Sequence, residues 1–135
     1  MTSVTRRFEF SMGHSLYEHA GACAHLHGHN YVALVTFDAK ELDQQGMVVD
    51  FGVVKTLVSE IIGQELDHRF LVYQMDPRTE SLQRIDPKVR AVPFNPTAEN
   101  IAAYLKKLIL SKWDNQLVSV AKIQLWETSN CYAEV

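Results

Sequence analysis

Hydrophobic and polar residues alternate from Thr5 to Met12, where Phe8, Phe10 and Met12 are interleaved with Glu9 and Ser11. A period of two is that of a half-buried strand. A second strand is expected over His27 to Asp38, a run rich in β-branched and aromatic residues. Tyr31, Ala33, Val35 and Phe37 fall on one of its faces and Val32, Leu34 and Thr36 on the other, so it reads as covered on both. After the polar turn at 43–46 the period changes. Val54, Leu57, Val58, Ile61 and Ile62 recur at helical spacing behind Asp50, a natural N-cap. Asn95-Pro96-Thr97 gives a second helix start, with Ile101, Tyr104, Leu105 and Leu108 as its apolar stripe. Ala121, Ile123, Leu125 and Glu127 share one face of a third strand, and Cys131 to Val135 supplies a fourth.

The order strand, strand, helix, helix, strand, strand predicts an α+β fold (ββααββ), an antiparallel four-stranded sheet with both helices on one face. Such a sheet leaves one face and two edges uncovered, which favours self-association. Between His68 and Pro96 lie 27 residues with two Asp-Pro pairs, longer than ordinary connections. That segment is either functional or holds short elements without a readable period.

With 135 residues, 47% of them hydrophobic, the chain reads as a single domain over residues 1–135 that can bury a core unaided. A net charge of −3 provides no basic field for nucleic acid or an anionic membrane surface. No signal-peptide core and no run of about 20 apolar residues is present, so a cytoplasmic location is expected. In that compartment Cys23 and Cys131 are expected as free thiols.

The strongest chemical signal is Cys23-Ala-His-Leu-His27-Gly-His29-Asn-Tyr31. Two residues apart in an extended chain, His27 and His29 point to the same side and can share one ion. Catalytic zinc commonly takes three protein ligands and keeps one position open. His14, on the parity of Phe8, Phe10 and Met12, is a candidate third ligand. Spacing alone also admits His25, and Cys23 as a fourth ligand closing a structural site. His19 and His25 read as solvated. If Cys23 is instead a base, its thiol needs a cation, metal or imidazolium beside it. Asp67-His68, an aspartate that can orient an imidazole at the end of the first helix, is one source. Glu127 ends an otherwise apolar strand face.

Phe10-Ser-Met-Gly-His14, Cys23-x3-His27-Gly-His29-Asn-Tyr31, Val49-Asp-Phe51, Leu66-Asp-His68, Asn95-Pro-Thr-Ala-Glu-Asn100 and Trp126-Glu-Thr128 occur in this order. Together they resemble the 6-pyruvoyltetrahydropterin synthase and 6-carboxytetrahydropterin synthase family, from about residue 5 to the C-terminus. The resemblance implies the tunnelling fold, in which sheets of several subunits join into a barrel, usually a homohexamer of two trimers with active sites between subunits. It implies Zn2+ on His14, His27 and His29, Cys23 as the proton-abstracting residue and Asp67 with His68 as its relay. Glu127 is implied as the pterin anchor, with Thr97 and Glu99 assisting.

The implied substrate is 7,8-dihydroneopterin triphosphate. The three-residue spacer between Cys23 and His27 resembles the carboxytetrahydropterin branch of 7-deazaguanine and queuosine synthesis, which releases acetaldehyde and triphosphate. The alternatives are the pyruvoyl branch, which keeps the three-carbon side chain, and a zinc- or pterin-binding module without turnover. The 27-residue segment departs from the short connection of the best-known carboxy members.

Overall fold

A computed structural model describes all residues from Met1 to Val135. Strand β1 (Thr2–His14) and strand β2 (His27–Ala39) pair antiparallel along their whole length. Helix α1 (Phe51–Glu65) follows, then strand β3 (Phe70–Tyr73), helix α2 (Thr79–Ile85) and strand β4 (Val89–Val92). Helix α3 (Ala98–Lys112), strand β5 (Val118–Thr128) and strand β6 (Cys131–Glu134) complete the chain. The sheet order is β4-β3-β1-β2-β5-β6.

The expected helix starts are present. Asp50 Oδ1 accepts the Gly52 N–H at 2.6 Å, and Thr97 Oγ1 accepts the Asn100 N–H at 3.2 Å. Pro96 lies just before that cap rather than in the first turn. Val54, Val58, Ile61 and Ile62 of α1 and Ile101, Ala102, Leu105 and Ile109 of α3 are buried. They pack on the sheet face formed by Phe8, Phe10, Tyr31, Val35, Phe37, Ile123 and Leu125.

Four expectations need correction. The sheet has six strands, not four, and is mixed, because β3 runs parallel to both β1 and β4. The added strands and α2 occupy the 27-residue segment; strands of four residues and a helix of seven are too short to display a period. Strand β1 runs through His14, so this residue ends the strand rather than following it. Strand β2 is fully covered on one face and only partly on the other within the chain: Tyr31, Ala33, Val35 and Phe37 are buried, whereas on the second face Thr36 is buried but Val32 and Leu34 are only half-buried.

Two glycines bring β1 and β2 together beside the histidines. Gly13 pairs with Gly28, between the His14–His27 and Met12–His29 pairs. A Cβ on Gly13 would meet the Phe70 ring at 2.5 Å, and one on Gly28 would meet the Met12 carbonyl oxygen at 3.0 Å. Here the strands and the ring of β3 approach more closely than any side chain permits.

Candidate metal centre and active site

The antiparallel register sets His14 opposite His27 and Met12 opposite His29. Side chains two apart on β2 share a face, and that face meets the even-numbered face of β1. Three imidazoles therefore converge at one end of the sheet, with ring centroids 4.5 to 5.1 Å apart. Their candidate ligand nitrogens all lie within 4.8 Å of one another.

The remaining hydrogen bonds aim these nitrogens. His14 Nδ1 donates to the Pro96 carbonyl at 2.7 Å, and His27 Nδ1 donates to the His25 carbonyl at 2.7 Å. A carbonyl accepts only, so the proton of each ring is on Nδ1 and a lone pair remains on Nε2. His27 Nε2 is buried without any partner. His29 Nε2 lies 3.2 Å from His14 Nε2. Nitrogens bound tetrahedrally at zinc distances stand about 3.3 Å apart, so the set fits this ion. Tethering of the second ring nitrogen to a carbonyl is likewise the usual support of a metal-bound histidine.

Burial pushes the His14 pKa down from 6.5 to about 4, against the Pro96 hydrogen bond and with help from the neighbouring imidazoles. Burial also lowers that of His29, opposed by Glu127. Both rings are thus neutral near pH 7 and ready to donate lone pairs.

The competing ligands are resolved by placement. His25 is exposed and contributes only its carbonyl, and His19 is also exposed. Cys23 sits in a 3-10 turn (Ala22–Ala24) within the loop joining β1 to β2, and its thiol does not join the three-histidine group. It is a half-buried free thiol.

Glu127 stands at the edge of the histidine group, its Oε2 3.1 Å from His29 Nε2. It also lines a cleft of about 240 Å³ with Thr97, Glu99, Leu16, Cys131 and Tyr132. The three residues expected to hold the pterin are therefore together, between the start of α3 and the β5–β6 hairpin. The Thr97 hydroxyl, which caps α3, keeps its own proton for donation.

Asp67 and His68 lie at the edge of β1. Asp67 Oδ1 accepts the Ser11 N–H at 3.1 Å, and the His68 N–H donates to the Ser11 carbonyl at 2.7 Å. His68 is held in the left-handed region at φ 58°, uncommon for a residue with a Cβ. Its Nδ1 is 3.0 Å from Asp67 Oδ1, and its side chain is 82% exposed. No hydrogen bond joins this pair to Cys23 within one chain, so the structure pairs Asp67 with His68 and leaves both apart from the thiol.

Tyr31 also faces the site, its ring centroid 5.3 Å from that of His29, a placement signalled in the sequence only by its parity with His27 and His29. Its hydroxyl lies 3.3 Å from His14 Nδ1, and burial, with the charges of Glu127 and Cys23, pushes its pKa up. It remains a neutral hydroxyl in the floor of the site.

Residues 3–135 match the model of the family described as 6-pyruvoyl tetrahydropterin synthase. The chain is 43% identical over 140 residues to the 6-carboxy-5,6,7,8-tetrahydropterin synthase of Rickettsia bellii (strain RML369-C), with full coverage of both chains. The crystal structure of an uncharacterized protein from Wolinella succinogenes superposes with a TM-score of 0.87 at 26% identity, covering 99% of this chain and 97% of the other. The 6-pyruvoyl tetrahydropterin synthase of Caenorhabditis elegans shares the fold, with a TM-score of 0.74 at 24% identity and coverage of 99% and 94%.

Proposed function

Since this chain belongs to the 6-pyruvoyl tetrahydropterin synthase family, we propose that it is a zinc-dependent lyase acting on 7,8-dihydroneopterin triphosphate. The products are 6-carboxy-5,6,7,8-tetrahydropterin, acetaldehyde and triphosphate, with one water taken up, and the first serves 7-deazaguanine and queuosine synthesis. The observation that carries this reading is the convergence of three imidazoles into one group that the free thiol of Cys23 does not join. Support for the carboxy branch comes from the Cys23-x3-His27 spacing and from the product named for the Rickettsia bellii relative.

His14, His27 and His29 hold the metal, which supplies Lewis acidity toward the hydroxyls of the substrate side chain. Cys23 as thiolate removes the side-chain proton, and electron density passes into the pterin ring. Glu127 accepts paired N–H bonds from the 2-amino-pyrimidinone edge of that ring, with Thr97 and Glu99 beside it in the cleft. Asp67 orients His68, which returns protons. The exposure of His68, despite a backbone fixed on Ser11, suits service to a neighbouring subunit's site. One domain over residues 1–135 thus forms a cytoplasmic homohexamer of two trimers, its subunits joined into a barrel. No helix is long and apolar enough to cross a membrane.

Cys23→Ala tests the assignment of the base. This variant is expected to keep zinc and assembly state while turnover of dihydroneopterin triphosphate disappears. Loss of the metal would make Cys23 a structural ligand and overturn the assignment.

A further inference from the structure

The turn that carries Cys23 has no anchor in the core, since none of Ala22, Cys23 and Ala24 is buried. Its internal bonds, Ala24 N–H to the Gly21 carbonyl at 3.2 Å and His25 N–H to the Ala22 carbonyl at 3.0 Å, shape the turn but do not locate it. Two contacts from outside locate it. The Leu16 N–H donates to the Cys23 carbonyl at 2.9 Å. Arg78 Nη1 donates to the Ala24 carbonyl at 2.5 Å, from 54 residues away.

Arg78 belongs to the segment between β3 and α2 and is itself braced. Its Nε and Nη2 donate to the two oxygens of Asp76 at 3.0 and 2.8 Å, and its backbone N–H donates to Asp76 Oδ1 at 2.9 Å. The Asp76 carboxylate is almost wholly buried, with a side chain 1% exposed. A guanidinium is planar and rigid, so pairing of one edge with Asp76 fixes where Nη1 points. A buried ion pair adds little stability over apolar packing of the same volume, so its value here is geometric. The hydrogen bonds from Arg78 hold the Asp76 carboxyl below the usual carboxylate range, which keeps the brace charged. The Tyr17 ring packs against Tyr73 at 5.6 Å between centroids, a second contact between the same loop and the same segment.

We infer that Arg78, braced by Asp76, is a positioning residue for Cys23, and that the β3-α2-β4 segment serves to hold the cysteine turn in place beside the three histidines. The inference rests on the proposed role of Cys23 as the base. Displacement of a reacting group by about 1 Å can cost on the order of a hundredfold in rate.

The test uses full-length, zinc-loaded Arg78→Ala, Arg78→Lys and Asp76→Asn. Three readouts are zinc per chain, kcat and KM with dihydroneopterin triphosphate, and iodoacetamide alkylation of Cys23 relative to Cys131 by peptide mapping. Arg78→Ala and Asp76→Asn are expected to keep zinc and a KM within about threefold, while kcat falls about tenfold or more. Cys23 alkylation should rise at least about threefold against Cys131 as the turn loosens. Arg78→Lys, which retains the charge but not the fork, should fall between these and the wild type. If Arg78→Ala does not fold, Arg78→Lys and Asp76→Asn decide on the same readouts. Unchanged kcat and alkylation ratio, or losses of zinc or KM as large as that of kcat, would overturn the inference. A wild-type enzyme without turnover would sink the proposed function instead, whereas the alkylation ratio still reads the positioning role.

Discussion

Nε2 of His29 stands 3.2 Å from Nε2 of His14, although the residues are 15 apart in sequence and on different strands. The register of β1 on β2 creates this approach, and His27 Nε2 completes the group as a buried lone pair with no partner. A buried, unsatisfied nitrogen is costly unless something binds it.

His27→Ala should therefore lower zinc affinity by about a hundredfold or more, since even changes behind a ligand cost tenfold to a hundredfold. The core is built from other residues, so far-UV circular dichroism should be unchanged. Competition with a chelating dye measures the affinity, and wild-type affinity in the variant would remove His27 from the metal site.

The metal-free protein should lose stability as the pH falls below about 6.5. An unfolded chain protonates its histidines near that value, whereas burial holds folded His14 neutral down to about 4. The unfolded state thus binds more protons across this window, and stability falls with pH until the His14 contribution levels off near 4. For His14 the effect is on the order of 3 kcal/mol, and the lowered pKa of His29 acts in the same direction. Urea midpoints of the metal-free chain at pH 7 and pH 5 measure it. Equal midpoints would contradict a neutral His14.

Glu127→Gln keeps the shape of the cleft but removes the charge that accepts paired N–H bonds. Bonds to a charged group contribute about 1.5 to 3 kcal/mol, so KM is expected to rise at least tenfold with zinc content unchanged. Steady-state kinetics beside metal analysis checks this. An unaltered KM would place the ring elsewhere.

Much of this fold is readable from periodicity. The alternation in β1 and β5, the caps Asp50 and Thr97, and the stripes of α1 and α3 each carry a local signal that packing then satisfies. The His27 and His29 pair is readable for the same reason, as both lie on one strand. Recruitment of His14 depends on register between strands, which spacing leaves open and family resemblance supplies. The β3-α2-β4 segment was not readable. Phe70-Leu71-Val72-Tyr73 is a continuous apolar run without alternation, and its parallel pairing with β1 is a non-local event. The contact from Arg78 to Ala24 joins two segments with no shared pattern, so only the fold reveals it.

The most direct test of the central claim is quantification of products from 7,8-dihydroneopterin triphosphate with the zinc-loaded protein. Acetaldehyde and triphosphate are expected in equal amounts with 6-carboxy-5,6,7,8-tetrahydropterin, and turnover is expected to stop after zinc removal and resume on its return. A product that keeps its three-carbon side chain without acetaldehyde, or full turnover by the metal-free protein, would contradict the account.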